Sequence, residues 1–443
     1  RSPAILSEAM SKKLSIAIAG LGTVGAGLIE LLNTERELIT ARGSTEIDVV
    51  AVSARNRNRA RGVDLEGYRW FDDAVEMASA PGIDVVVELI GGHDGVAKSV
   101  VEAALRAGRH VVTANKALLA HHGTELAALA QEHGVTLGYE AAVAGGIPAI
   151  KGLREGLAAN DITEVFGILN GTCNYMLTEM AATGAPFDDI LSDAQALGYA
   201  EAEPSTDVDG YDAAHKLALL ASLAFARPVD FDAVSIEGIR SITPIDISYA
   251  DELGYKIKLL GHAKRDGARV VQSVRPRLVP KSLPIANIDG VLNAVVMRGS
   301  FVDEVLLVGR GAGGGPTASA VAADLIDIAR GIKPPIFGIP VSRMQSDDST
   351  AATDPESSKD AYYLRLSVQD EPGVFADIAA TLRDQRISIE TVVQRGHEPG
   401  EAVPVIITTH PATEDAMRTA LATIAAMDTV LSEPQLLPIV SAE

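Results

Sequence analysis

The chain has 443 residues, 47% of them hydrophobic, enough for two or three domains with cores of their own. A formal net charge of −21 repels phosphate backbones and argues against a nucleic-acid partner, and no apolar run approaches the roughly 20 residues of a membrane span, which argues against a membrane protein. The single cysteine, Cys173, rules out an internal disulfide and suits a reducing, cytoplasmic compartment.

The opening RSPAILSEAM lacks a basic segment followed by a long apolar one and reads as a cloning remnant or a short extension before Met10. Short β-branched runs follow at 14–20, 47–53, 83–90, 110–115 and 135–140, with helical stretches between them, such as 95–108 and 124–134. Buried strands alternating with helices predict an α/β fold with a doubly wound parallel sheet over 12–142. From 143 to 308 the pattern becomes α+β: helices at 148–159, 173–183, 187–198 and 212–226, strands near 162–169, 268–279, 291–298 and 304–309. Residues 309–345 hold a second glycine loop and a long helix expected to return to the first domain. The small, acidic stretch 346–360 has linker composition, and 361–443 reads strand–helix–strand–strand–helix–strand, a ferredoxin-like βαββαβ module.

AIAGLGTVGAGL places Gly20, Gly22 and Gly25 in G-x-G-x-x-G spacing between the first strand and the first helix. That spacing serves a tight turn and a close approach to a pyrophosphate, with the first helical N–H groups, around Thr23 and Val24, aimed at anionic oxygens. The second strand ends in Ser53 and Ala54 and is followed by Arg55 and Arg57, with no acid for a ribose 2′-hydroxyl. An arginine there pairs with a 2′-phosphate, which favours NADP, with NAD the alternative; the competing reading is a solvated basic loop.

Lys116, in TANKALLA, follows a later strand of the same sheet, where carboxyl ends of strands line the ligand crevice; the plain alternative is a surface lysine at a helix start. GYAEAEPSTDVDGYDAAHKLALLA gathers Glu201, Glu203, Asp207, Asp209 and Asp212 before Lys216. Asp212 and Lys216, four apart, share one helix face, either as an ordinary surface pair or, since KLALLASLAF is apolar nearly all round, as a buried catalytic lysine with a lowered pKa. Glu201 can hold a cationic amino group. EAAVAGGIPAI offers Glu140 and a turn of backbone carbonyls to a hard cation, or serves only as a hinge.

In this order, GLGTVG, VELIGG, VVTANKALLA, EAAVAGGIP, NGTCNYMLT, LGYAEAEPSTDVDGYDAAHKLA and GRGAGGGPTASAV resemble homoserine dehydrogenase over roughly residues 14–340. The resemblance implies interconversion of L-homoserine and L-aspartate 4-semialdehyde with NAD(P), on the way to threonine, methionine and isoleucine. It implies that Lys216 is the proton donor, that Lys116 is a second lysine near substrate and nicotinamide, and that Glu201 binds substrate with Asp207 and Asp212 around it. It further implies that Glu140, Val143, Gly145 and Ile147 hold a monovalent cation such as Na+ or K+, and that Gly311 and Gly313 lie near the cofactor. The family often has AEADP where this chain has Glu203 before Pro204, which leaves the role of Glu203 open. His215 is read as structural. The stretch 143–308 then becomes the catalytic and dimerisation domain.

Reducing the semialdehyde puts negative charge on its oxygen; ammonium groups stabilise that charge and one gives up a proton, and faster oxidation at alkaline pH is the expected converse. The tail resembles an ACT domain: VQDEPGVFADIAATL carries its D-x-P-G turn, with Asp370, Pro372 and Gly373 as effector-binding residues and L-threonine as the expected effector at a homodimer or homotetramer interface. The alternative is a tail that only drives assembly. A monofunctional enzyme is expected, with no aspartokinase-sized segment ahead of it. The rival from another class is a catalytically silent nucleotide-binding amino acid sensor; a phosphorylating semialdehyde dehydrogenase needs a nucleophilic cysteine, a role the surroundings of Cys173 do not suggest.

Overall fold

The computed structural model describes residues 13–345, 359–395 and 402–441. They divide into two compact units: Arg1–Leu169, Ala214–Val234 and Asn293–Ser346 form the first, Asn170–Ala213, Ser235–Leu292 and Asp347–Glu443 the second.

The first unit opens with β1 (Lys13–Ala19), α1 (Thr23–Thr34), α2 (Arg36–Gly43), β2 (Glu46–Ser53), β3 (Arg69–Phe71), α3 (Ala74–Ser79), β4 (Val85–Glu88), α4 (Val96–Arg106), β5 (His110–Thr113), α5 (Lys116–Glu132) and β6 (Leu137–Gly138). The strands form one sheet in the order β3-β2-β1-β4-β5-β6, parallel throughout, the Rossmann arrangement. Covered on both faces, β1 and β4 are almost continuously apolar, and Ile16, Ile18, Val85 and Val87 are fully buried with Leu28 of α1. The register places Ser53, Ala19, Glu88 and Thr113 in one row at the carboxyl ends of β2, β1, β4 and β5.

Three local expectations differ from what forms. The helix expected at 124–134 begins eight residues earlier, at Lys116, because the side chain of Asn115 caps it by accepting from the Leu118 N–H. The strand expected at 135–140 is reduced to Leu137–Gly138, since Glu140–Ala142 turn into a 3-10 helix. The helix expected at 148–159 is one turn, α6 (Ala149–Lys151), followed by a π-helical turn at Gly152–Gly156.

Next come β7 (Ile162–Ile168), α7 (Gly171–Thr183), α8 (Phe187–Ala196), α9 (Ser205–Val208), α10 (Tyr211–Phe225), β8 (Val234–Ile236), α11 (Pro244–Glu252), β9 (Tyr255–Asp266), β10 (Arg269–Pro280), β11 (Leu292–Gly299), β12 (Asp303–Arg310) and α12 (Gly314–Ala329). Within the first unit, β12, β11 and β7 are neighbours in that order. α12 packs on α1, closely enough that a Cβ on Gly314 would stand 3.1 Å from Thr23. Strand β9 was not expected from the sequence. Its run YKIKLLGHAKRD looks too charged for an interior strand, but Lys258, 2% exposed, donates to the Asn174 Oδ1, the Ile288 carbonyl and Asp289.

The tail supplies β13 (Lys359–Gln369), α13 (Val374–Asp384), β14 (Ile389–Gln394), β15 (Ala402–Thr409), β16 (Ala412–Thr413), α14 (Glu414–Ala425) and β17 (Gln435–Ile439). Its strand order, β17-β13-β15-β14, is ferredoxin-like, over a core of Leu364, Leu366, Ile378, Leu382, Ile407 and Ile424. Within the second unit this sheet continues into β10 and β9, through a parallel bridge from Ile439 to Leu278. Most of the expected linker 346–360 lies outside the described residues. Among the described residues no helix is long and apolar enough to cross a membrane.

Candidate active site

At the end of β1 the chain turns through Gly20, at φ +104°, where a Cβ would sit 2.4 Å from the Leu89 carbonyl oxygen. A Cβ on Gly25 would sit 2.2 Å from the Gly20 carbonyl, so the helix start can lie this close to the strand only with glycine there. Gly22 stands as N-cap of α1 with open space where its side chain would be, and Thr23 and Val24 open the helix. Gly20 and Gly22 border a cleft of about 750 Å³ lined also by Ser53, Ala54, Arg55, Arg59 and Arg61. Glycine backbone, a helix N-terminus and arginines at the end of β2 fit a dinucleotide carrying phosphate.

The arginines after β2 differ in what they do. The Arg61 guanidinium is tied to the carbonyls of Leu21 and Arg59, at 3.1 and 2.7 Å, and to that of Asn56. Arg57 lies over Trp70, 5.7 Å from the ring centre. Arg55 is exposed at the cleft.

Beside it, β4 and β5 build a polar network that sequence reasoning missed. Glu88, fully buried, accepts from the Ile90 and Gly91 N–H groups at 2.7 and 3.2 Å and from the Thr113 hydroxyl at 2.6 Å. Thr113 Oγ1 accepts in turn from the Asn115 N–H, and Asn115 Nδ2 donates to the Gly92 carbonyl at 2.7 Å. This fixes the corner from which half-buried Lys116 opens α5. The acid inside VVVE was the available signal, because a buried carboxylate in a central strand requires partners.

Lys216 is 7% exposed on α10, and its ammonium donates to the Leu169 carbonyl at 2.7 Å. Its neighbour His215 faces aside: the ring lies 4.7 Å from Phe231 and 5.7 Å from His121, in an aromatic cluster with His93. The acids belong to the second unit. Asp212, also 7% exposed, lies in the first turn of α10, and Asp207 in α9. Asn170, unmarked in the sequence reading, joins them: its Nδ2 donates to Asp207 Oδ1 at 2.8 Å and to Asp212 Oδ2 at 2.9 Å. Glu201 is exposed on the loop before α9, its carbonyl accepting from Gln195. Glu203 is engaged locally: the Ser205 hydroxyl donates to it at 2.5 Å and holds its carboxyl below the usual range. Asp209 pairs with Arg240. Cys173 is buried, its thiol donating to the Asp207 carbonyl at 3.2 Å, an environment that quiets a nucleophile.

Glu140 is 2% exposed, and its two carboxylate oxygens accept from the Ile150 and Lys151 N–H groups at 3.0 and 2.8 Å. Burial, with Asp324 nearby, pushes its pKa up to about 7. Val143, Gly145 and Ile147 are buried after it, and Ala144 and Gly145 both take positive φ, at 55° and 54°. A buried carboxyl beside a turn of carbonyls is an all-oxygen donor set, the chemistry a hard cation takes. The same turn meets the second glycine loop: a Cβ on Gly145 would sit 2.5 Å from the Gly311 carbonyl, and Gly146 donates to the Arg310 carbonyl. Gly313, at φ +112°, caps α12.

In the tail, Asp370, Pro372 and Gly373 line a cavity of about 260 Å³ with Val368, Phe375, Gln394 and Val405, and Gly373, at φ +99°, caps α13.

Comparison with known proteins follows this division. Residues 20–140 match the homoserine dehydrogenase NAD-binding domain, 148–326 the homoserine dehydrogenase domain, and 362–426 the ACT domain. The homoserine dehydrogenase of Pseudomonas aeruginosa is 45% identical over 95% of this chain and 97% of its own, and that of Neisseria gonorrhoeae 43% identical over the same shares. Among solved structures, a homoserine dehydrogenase from Thiobacillus denitrificans is similar with a TM-score of 0.90 at 44% identity, over 97% of this chain and 98% of that one. A hyperthermophilic archaeal homoserine dehydrogenase in complex with NADPH is similar at a TM-score of 0.61 and 27% identity, over 71% of this chain and 97% of that one. The chain belongs to the homoserine dehydrogenase family, with an ACT domain at its C-terminal end.

Proposed function

We propose that in this homoserine dehydrogenase Lys216 moves the proton at the substrate oxygen, while Lys116 adds positive charge at the same oxygen. The observation that carries the reading is Lys216 itself, a 7% exposed ammonium on an apolar helix, held 2.7 Å from one backbone carbonyl. A nicotinamide cofactor, when bound, supplies or takes up the hydride. The chain's own residues do the rest. Gly20, Gly22, Thr23, Val24 and Gly25 seat the dinucleotide, with Gly311 and Gly313 closing on it. The two ammonium groups stabilise the charge that develops on the oxygen, and Lys216 gives its proton in reduction and takes one in oxidation. Glu201 and Asp207 receive the substrate's ammonium group, with Asp212 beside Asp207.

NADP is the preferred cofactor because β2 ends without an acid and Arg55 stands free of backbone duties at the cleft. Glu140, with the Val143, Gly145 and Ile147 turn, takes Na+ or K+. The ACT turn at Asp370, Pro372 and Gly373 takes L-threonine, the end product of the pathway, and assembly is a homodimer or homotetramer in the cytoplasm. The working division is 12–142 for the dinucleotide, 143–308 for substrate and dimerisation, 309–345 returning to the first domain, 346–360 as linker and 361–443 for regulation.

The test is absorbance at 340 nm with L-homoserine at mildly alkaline pH, NADP and NAD compared, with Na+ or K+ against a large organic cation, and with L- against D-threonine. Faster turnover with NADP, a dependence on the small cation, and inhibition by the L-isomer alone are expected. Equal rates with both cofactors, indifference to the cation, or indifference to L-threonine would each remove the corresponding assignment.

A further inference from the structure

We infer that Asn170 is the positioning residue of the substrate-binding acids, holding Asp207 and Asp212 at one spacing for the ammonium group of the substrate. The inference rests on the reading that these acids face that ammonium group. Asn170 occupies the corner between β7 and α7 and is 4% exposed. Its carboxamide uses both ends. Oδ1 accepts from the Cys173 N–H at 2.8 Å, capping α7, and Nδ2 donates to Asp207 Oδ1 at 2.8 Å and Asp212 Oδ2 at 2.9 Å.

The orientation follows from that pattern. A flipped amide would set its NH2 against the Cys173 N–H and its oxygen against two carboxylates, losing three hydrogen bonds. Two acids from different elements, α9 and α10, are therefore brought to one nitrogen. Left to themselves, two like charges at that separation repel. The neutral amide donates one N–H to each acid and adds no charge of its own. The residue type suits recognition of a cation better than simple helix capping, for which serine or aspartate would serve as well. The Cys173 thiol bond to the Asp207 carbonyl, at 3.2 Å, fixes the backbone of the same acid from the same turn of α7. One residue earlier in the chain, the Leu169 carbonyl receives Lys216.

The experiment separates positioning from capping. Asn170→Ser keeps a cap acceptor and removes both donors, whereas Asn170→Ala removes the cap as well. Steady-state KM and kcat are measured for L-homoserine and for NADP, with thermal midpoints, alongside Asp207→Asn and Asp212→Asn. The expected result for Asn170→Ser is a KM for L-homoserine raised by roughly tenfold or more, the effect of losing a hydrogen bond to a charged group, with the KM for NADP and the thermal midpoint near those of the unaltered enzyme. Asn170→Ala should show the same KM rise and a lower thermal midpoint. An unchanged homoserine KM in Asn170→Ser, while the two acid variants raise it, overturns the role of Asn170 and leaves the acids in place. No effect of the acid variants removes the acids from the site, and the role of Asn170 with them. Parallel rises in both KM values that track a falling thermal midpoint would reduce Asn170 to a cap.

Discussion

In the first unit, the ends of four parallel strands bring Ser53, Ala19, Glu88 and Thr113 into one row, and the groups around the cofactor cleft inherit their positions from that backbone. In the second unit Asp207 and Asp212 lie on separate helices, and the side chain of Asn170 donates to both. The first arrangement tolerates changes of side chain but not an added Cβ at Gly20 or Gly25. The second should be undone by one neutral substitution at Asn170 that leaves the fold intact. Lys216 donates to a main-chain carbonyl, that of Leu169, whereas Asp212, one turn before it on α10, accepts from the Asn170 side chain.

The largest effect is expected at Lys216. Lys216→Met keeps the unbranched stem and suits the apolar helix. It should lower kcat by roughly 10²- to 10⁴-fold, the usual contribution of a positioned acid–base group, with cofactor binding and thermal midpoint retained. Stopped-flow cofactor binding and steady-state rates on the same preparation check this. A kcat within tenfold of the unaltered enzyme would hand the proton to another group and break the contrast between a backbone-held lysine and side-chain-held acids.

A smaller effect separates two arginines on one loop. Arg55→Ala should lower kcat/KM for NADP by roughly tenfold to a hundredfold, one hydrogen bond to a charged group, and leave NAD little changed. Arg61→Ala should lower both alike, because Arg61 spends its guanidinium on the Leu21, Asn56 and Arg59 carbonyls and so shapes the loop for either cofactor. An equal fall with both cofactors in Arg55→Ala would give Arg55 the same structural duty.

The same contrast explains what could be read in the sequence. Gly20 and Gly25 announce a backbone that nothing with a Cβ could follow, and the alternation of apolar runs with helices announced the parallel sheet; both are local patterns. Strand β9 was hidden because Lys258 looks like a surface residue until Asn174 and Asp289 are seen around it, and those partners lie 84 and 31 residues away. Asn170 carried only the mark of a helix cap. Glu88, inside the run read as a strand at 83–90, is the buried acceptor of three hydrogen bonds. The four ACT strands were legible, but the joining of their sheet to β10 was not, because a parallel bridge between Leu278 and Ile439 leaves no trace in either segment.

The smallest effect concerns how the tail is held, again by side chains. Arg275 of β10 forms two hydrogen bonds with Glu414 at the start of α14, both at 3.2 Å, and Asp246 of α11, fully buried, accepts from Arg365 at 2.6 Å and from the Tyr363 hydroxyl at 3.2 Å. Burial pushes the Glu414 carboxyl up, but the Arg275 and Arg418 guanidiniums outweigh it and hold its pKa below the usual glutamate value. A carboxyl depressed in the folded state binds its proton more readily when unfolded. Its contribution is therefore complete above the unfolded value of about 4.3 and is lost as pH falls through the folded one. Glu414→Gln should thus lower stability by no more than about 1 kcal/mol at neutral pH, because the pair is partly exposed and screened. The difference from the unaltered enzyme should narrow as pH falls below the unfolded value and through the depressed folded one. Thermal midpoints of the two proteins across pH 3.5 to 7.5 decide the matter. A gap that persists at the acid end would mean that Glu414 holds the tail by packing of its stem rather than by its charge.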